Sequence, residues 1–146
     1  MTTKTKRTLL QIVLLSTAGF LCFVLPFMFD LWPAGFRWAH PAEHHAYERM
    51  IIAIYFALGV CLVPAAFNPE RHVLLIDFTI LSSVLHGAVM TYDAFVQEHE
   101  MTHLMADVPL LFVLAVVLIW LHPRWLREDA ASPASVTSSS RSVLPS

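Results

Sequence analysis

Four long runs of apolar residues, separated by short polar breaks, account for most of the chain. They cover residues 8–29, 46–67, 73–95 and 102–121. An α-helix needs about 20 predominantly apolar residues to cross the hydrocarbon core of a bilayer, and each run supplies that length. The pattern therefore predicts an all-α fold, an integral membrane bundle of four transmembrane helices.

The breaks between the runs contain residues that end and start helices. Asn68-Pro69-Glu70 joins a capping residue to a proline in a first-turn position, and residues 30–35 hold the Pro and Gly of a loop. His122-Pro123 closes the fourth run. We predict one domain over residues 1–127 and a disordered cytoplasmic tail over 128–146, where Ser, Ala and Pro replace the large apolar residues.

The composition agrees with a lipid environment. Of the 146 residues, 57% are hydrophobic and 14% are charged, whereas soluble domains have roughly 45–50% apolar and about 25% charged residues. The two cysteines, Cys22 and Cys61, lie inside apolar runs and lack the spacing of a disulfide framework.

The Lys and Arg residues set the predicted orientation, because basic residues concentrate in cytoplasmic loops. Of the nine, Arg37 and Arg49 lie on the side opposite to the N-terminus. The others share the N-terminal side: Lys4, Lys6, Arg7, Arg71, Arg124, Arg127 and Arg141. Both termini are therefore predicted to be cytoplasmic, in a multi-pass protein of the cell inner (plasma) membrane.

The third run carries a polar stripe, whose side chains fall within an arc of about 100° when each residue turns a helix by 100°. Lipid tails cannot satisfy hydrogen-bonding atoms, so the stripe should face other helices or a wet cavity. Its members are Thr79, Ser82, Ser83, His86, Met90, Asp93 and Gln97. We take Ser82, Ser83, His86 and Asp93 as the intramembrane polar site.

His86 has two interpretations. It is either a neutral imidazole hydrogen-bonded to Ser82 or to another helix, or a proton-relay or ligand position, since an ionisable group inside a membrane is costly to keep. The first is favoured, because a neutral imidazole is cheaper to bury than a charge. Asp77 lies on the opposite side of the same helix, near its cytoplasmic end, where we expect an ion pair with Arg7 or Arg124.

The outer side is rich in histidine and carboxylate side chains. Two histidine pairs, His40/His44 and His99/His103, have a spacing that places both imidazoles on one face of an α-helix. Imidazole is a good ligand for Zn or Cu, so a divalent metal is the one cofactor that the sequence suggests. The candidate metal ligands are His44, His45, His99, His103 and Asp107.

His99-Glu100-Met101-Thr102-His103 also matches the H-E-x-x-H motif of zinc peptidases, in which Glu100 would be the catalytic base. The motif occupies a short connector between two spans, where a continuous α-helix is doubtful. Asp107 would lie about 12 Å along a helix from His99, too far to share one metal. An ordinary polar connector is therefore preferred, and Asp107 has the simpler role of capping the fourth helix.

Several short motifs resemble a family of small bacterial four-helix membrane proteins of unknown function. They lie in helices 2 to 4: Tyr55 with Leu58-Gly59, Asn68-Pro69 followed by His72, Leu75-Ile76 with Phe78-Thr79, Ser82-Ser83 with His86 and Met90, and Asp107-Val108-Pro109. The resemblance implies a four-helix bundle in a bacterial inner membrane. It implies no activity, because none is associated with that family.

The leading functional prediction is a non-enzymatic accessory or oligomeric membrane component. Its partners would be the lipid bilayer and either further copies of the chain or another membrane protein. Nucleic acid is not expected, because no basic patch is interleaved with aromatic residues. The alternative is a metal-binding or proton-handling protein that uses the outer cluster, and a membrane metallohydrolase using His99, Glu100 and His103 ranks last.

Overall fold

The computed structural model describes residues 2–36, 45–96 and 98–124, with the side chains at 34, 35, 45–48 and 98–100 outside the description. The described residues form helices and no strand, which confirms the all-α prediction. The predicted tail over 128–146 lies outside the described residues. The α-helices are α1 (Thr3–Gly19), α2 (Leu25–Leu31), α3 (Pro33–Phe36), α4 (His45–Phe67), α5 (Val73–Val96) and α6 (Asp107–Trp120), with a π-helical turn at Phe20–Val24 and 3₁₀ helices at Pro69–Arg71 and Glu98–Met105.

Four helices are long and apolar enough to cross a membrane: Thr3–Leu31, Arg49–Phe67, Val73–Val96 and Met101–Trp120. Their number and order are those predicted. The first begins at Thr3 rather than at Thr8, because the basic N-terminal residues extend the helix by more than one turn. The four candidate spans indicate a multi-pass membrane protein.

The first span is interrupted by the π-helical turn, which ends at Val24, two residues before Pro26. Proline has no N–H, and its ring collides with the carbonyl four residues earlier in a regular α-helix. Widening the helix by one residue relieves that collision. The Leu25 N–H accordingly bonds the Phe20 carbonyl, five residues back.

The break at Asn68 has the predicted location. α4 ends at Phe67, a 3₁₀ turn follows over Pro69–Arg71, and α5 begins at Val73. The Asn68 side chain makes no capping hydrogen bond, so the missing N–H of Pro69 and the backbone bonds of the 3₁₀ turn account for the break.

The helices pack as two pairs, α1 with α4 and α5 with α6, whereas α4 and α5 contact each other little. The pairs meet in one apolar core on the side of the bundle where α4 ends and α5 begins, which we call the terminal side. We call the opposite side, which holds Glu98–Met105, the connector side. The core contains Leu10, Leu14, Ala18, Leu62, Ala65, Ala66, Ile76, Leu118 and Leu121.

Gly59 lets α4 approach the first span closely. A Cβ atom there would lie 2.7 Å from Cys22 Sγ and 3.2 Å from both the Ala18 carbonyl oxygen and Leu21 Cβ. Across the same interface the Cys22 thiol lies 3.7 Å from the Phe56 carbonyl oxygen. Small residues bring helix backbones together in this way within membranes, where packing rather than hydrophobicity drives association.

Candidate functional site

A groove with a volume of about 660 Å³ opens between α4 and α5. It exists because these two helices are consecutive in the chain yet pack on different partners, so their facing sides stay apart. Most of its wall is apolar, with Ile54 and Leu58 on α4 and Phe78 on α5. Tyr55, Ser82 and His86 bring the polar atoms to it. (The Cys61 side chain also lines it.)

His86 is held against the edge of Tyr55 inside this groove. The two ring centroids are 5.8 Å apart and the ring planes are inclined by 85°, an edge-to-face contact. The expected hydrogen bond between His86 and Ser82 is not formed. The Ser82 hydroxyl donates to the Thr79 carbonyl at 3.2 Å. Within the described part of the chain, the ring of His86 makes no hydrogen bond.

The polar stripe on α5 divides between two environments. Thr79, Ser83 and Met90 are buried, and Thr79 donates to the Leu75 carbonyl of its own helix at 2.8 Å. Ser82, His86 and Asp93 are half-buried at the edge of that face. The stripe thus reaches the groove at Ser82 and His86.

His103 and Asp107 form a pair on the connector side. Nδ1 of His103 lies 3.1 Å from both carboxylate oxygens of Asp107, and the His103 side chain is buried. The prediction that Asp107 caps the fourth span is wrong. Ala106 is the N-cap residue, and Asp107 is the first residue of α6. The carboxylate therefore orients the imidazole.

The H-E-x-x-H segment lies on the 3₁₀ helix Glu98–Met105. Such a helix has three residues per turn, so positions four apart are separated by about 120° around its axis. Positions 99 and 103 therefore lie on different faces of this helix, whereas the zinc-peptidase motif needs both histidine positions on one face. The side chains of His99 and Glu100 lie outside the described residues.

The structure brings two of the predicted metal ligands together. Of the proposed ligands, His103 and Asp107 are brought together, whereas His44 and the side chain of His45 lie outside the described residues. Among the side chains that are described, no group of three or more His, Cys, Asp or Glu could hold a metal ion. A metal site would therefore need ligands from elsewhere, and it stays a prediction.

A second polar cluster lies on the terminal side, around Asp77. One carboxylate oxygen is 2.9 Å from His122 Nε2, and the other is 2.6 Å from a guanidinium nitrogen of Arg124. The predicted ion pair with Arg124 is confirmed, while Arg7 lies 3.7 Å from Glu70 instead. The hydrogen bond between His122 and Asp77 was not predicted. The position of His122, directly after the last apolar turn, could have indicated it.

The sequence profile of a family of unknown function, DUF6632, matches residues 4–130 of the chain. No curated protein and no solved structure matches it. The family match agrees with the resemblance to uncharacterised proteins, and it attaches no activity to any of the clusters described above.

Proposed function

We propose that this chain, which belongs to DUF6632, is a non-enzymatic component of a bacterial inner membrane. Membership of that family brings no known activity with it. The protein would work either as an accessory subunit or as an oligomer of its own copies. Both forms use the bundle as a surface for other membrane helices rather than as a reaction site.

The observation that carries this proposal is the small share of each span that the chain buries by itself. In the apolar windows of the four spans, between 22% and 28% of the residues are buried. Large apolar side chains such as Leu74, Leu81 and Val116 point outward over the full length of the helices. Lipid or other helices must cover these faces, and helices that pack closely gain van der Waals contacts.

The pairing of the ionisable groups supports a role without catalysis. Asp77 binds His122 and Arg124, and His103 binds Asp107. Charged groups inside a membrane are generally paired with one another, and such pairs stabilise a bundle. A catalytic group, in contrast, has to be within reach of a substrate.

The test is the mass of the protein in phospholipid nanodiscs and in a mild detergent, measured by native mass spectrometry. We expect a defined oligomer or a complex with another membrane protein. For an oligomer of its own copies, single cysteines at Leu81 and Val116 are tested in a chain lacking Cys22 and Cys61. Disulfide crosslinks between two copies should form at one of these positions and not at the other. A strict monomer that forms crosslinks at neither position, and captures no partner in native membranes, would contradict the proposal.

A second candidate function, metal binding or proton handling, is favoured by the pair of His103 and Asp107. A carboxylate on one ring nitrogen of a histidine is the arrangement that orients metal-bound imidazoles, with the other nitrogen as ligand. This candidate predicts stoichiometric Zn or Cu in the purified protein. The metal should be lost in the double variant His99→Ala, His103→Ala and kept in His72→Ala, which changes a histidine on the terminal side.

The metallohydrolase hypothesis has a separate test at Glu100. It requires hydrolysis of a peptide or lipid substrate that disappears in Glu100→Gln. The 3₁₀ backbone of residues Glu98–Met105 favours the opposite outcome, the same background rate in both proteins.

A further inference from the structure

The groove between α4 and α5 has the size and lining of a small-molecule site. Its volume of about 660 Å³ falls within the roughly 300–1,000 Å³ that is typical of ligand pockets. Such pockets are mainly apolar with a few polar groups that fix the orientation of the ligand. The walls formed by Ile54, Leu58, Leu75, Phe78 and Val89 meet the first condition.

The polar groups of the groove are gathered near the depth of His86. At 1.5 Å per residue, His86 lies about 20 Å from the start of α5 and about 15 Å from its end. Ser82 is one helical turn away from it, and Tyr55 contacts its ring across the groove. An imidazole without a hydrogen bond to the described residues is thus held in place in the groove, near the middle of α5.

Two simpler occupants fit this site poorly. An acyl chain of the bilayer fills apolar space but offers no hydrogen-bonding atom at this depth. A transmembrane helix is a cylinder about 10 Å wide and about 30 Å long, several times larger than the groove.

We infer that the groove between α4 and α5 binds a lipid-soluble small molecule, with an elongated apolar body and a hydrogen-bonding oxygen that pairs with His86. The apolar body lies along Leu58, Leu75 and Phe78, toward the terminal side. Tyr55 fixes the plane of the imidazole, and Ser82 offers a second hydroxyl beside it. This site does not require the bundle to be an oligomer.

The probe for this site is an alkylphenol with a ten-carbon tail that carries a photoreactive diazirine. Its partner probe is the same molecule without the hydroxyl group. Both are added to the full chain in nanodiscs of phosphatidylethanolamine and phosphatidylglycerol, and labelled residues are mapped by mass spectrometry. The expected result is saturable labelling of groove residues such as Leu58 and Phe78, with tighter binding of the phenol.

Two pairs of comparisons separate the groove from general contact with lipid. Ala57→Phe fills the groove, whereas Ala88→Phe adds the same ring at an exposed α5 position outside its lining, so labelling should fall at least tenfold only in the first. His86→Phe should weaken phenol binding about 3- to 10-fold, as expected for one hydrogen bond, and leave the partner probe unchanged.

The inference is overturned if labelling is not saturable, or if Ala57→Phe and Ala88→Phe label alike, because the probe then reports lipid contact alone. It is also overturned if both probes bind equally well to the unmodified chain. Crosslinking of Phe78→Cys between two copies, together with no labelling of the groove, would assign the groove to a second copy instead.

Discussion

The polar side chains of this bundle differ widely in burial, and burial decides what each pair contributes. Around Asp77, the His122 side chain is 7% exposed and that of Arg124 is 67% exposed. A solvent-exposed ion pair contributes about 0–1 kcal/mol, because water and salt screen it. A buried hydrogen-bonding group left without its partner costs about 1–3 kcal/mol. The bond to His122 is therefore the one that matters for folding.

Asp77→Ala should lower the free energy of unfolding by about 1–3 kcal/mol, because Nε2 of buried His122 loses its acceptor. Arg124→Ala should cost about 0–1 kcal/mol. Thermal unfolding in one mild detergent measures both. Glu70→Ala, at the exposed ion pair with Arg7, serves as the control for loss of a surface carboxylate. Equal losses in Asp77→Ala and Arg124→Ala would contradict the assignment.

The pair of His103 and Asp107 gives a second prediction, on the connector side. Asp107→Ala should destabilise the bundle by about 1–3 kcal/mol, because it removes the acceptor for buried Nδ1. Asp107→Asn keeps a carbonyl oxygen at that place and should cost less. The measurement is again thermal unfolding, with Asp93→Ala as the matched control on the same side. A loss in Asp107→Asn as large as that in Asp107→Ala would show that the charge is required.

The helices themselves are distinguished by how closely their backbones approach. α4 meets the first span at Gly59, where an added Cβ has a sulfur atom and a backbone oxygen within reach. α5 meets α6 at Gly87, where the added atom would lie 3.1 Å from the edge of the Phe112 ring. A ring edge can turn away, whereas a backbone oxygen cannot. The first interface should therefore tolerate less change.

Gly59→Val should destabilise the protein by about 1–3 kcal/mol, through overpacking against Ala18 and Cys22. Gly87→Ala should cost less, and Gly19→Ala should be neutral or slightly stabilising, since nothing lies within 4 Å of its Cβ and alanine favours helices. Unfolding midpoints of the three variants give the order. A Gly19→Ala loss as large as that of Gly59→Val would refute the close approach at Gly59.

Most of the basic residues that the structure describes lie on one side of the bundle, with Arg49 near the start of α4 as the exception. Among the described residues, Lys4, Lys6, Arg7, Arg71 and Arg124 lie on the terminal side. Because basic residues are retained in the cytoplasm, the connector side is expected to face outward. An even number of spans places Thr2 and Asn68 on the same face.

Single cysteines at Thr2, Asn68 and Thr102, in a chain lacking Cys22 and Cys61, test this orientation. A membrane-impermeant maleimide should label Thr102→Cys in intact cells, and the other two only after the membrane is permeabilised. All three positions are exposed, which makes their labelling comparable. Labelling of Thr2→Cys and Asn68→Cys on opposite faces would contradict the two spans that separate these positions.

Much of the fold could be predicted because its signals are local. The breaks at Asn68-Pro69 and after α6 follow from proline and from the loss of apolar residues. The pair of Asp77 and Arg124 was also predictable, since both side chains lie near helix ends on one side of the bundle. Two predictions were wrong: the hydrogen bond between His86 and Ser82, and the helix cap at Asp107. In both cases several hydrogen-bonding groups lie nearby, and the sequence does not show which of them the side chain contacts.

The sequence by itself determined that the chain is helical, how many spans it has and where they break, because these depend on runs of apolar residues and on proline. Only the tertiary structure decided which helices pair, because packing depends on where small residues such as Gly59 meet a neighbour. It also decided that α4 and α5 stay apart. That separation places His86 and Tyr55 in a groove, which no periodicity within one helix could indicate.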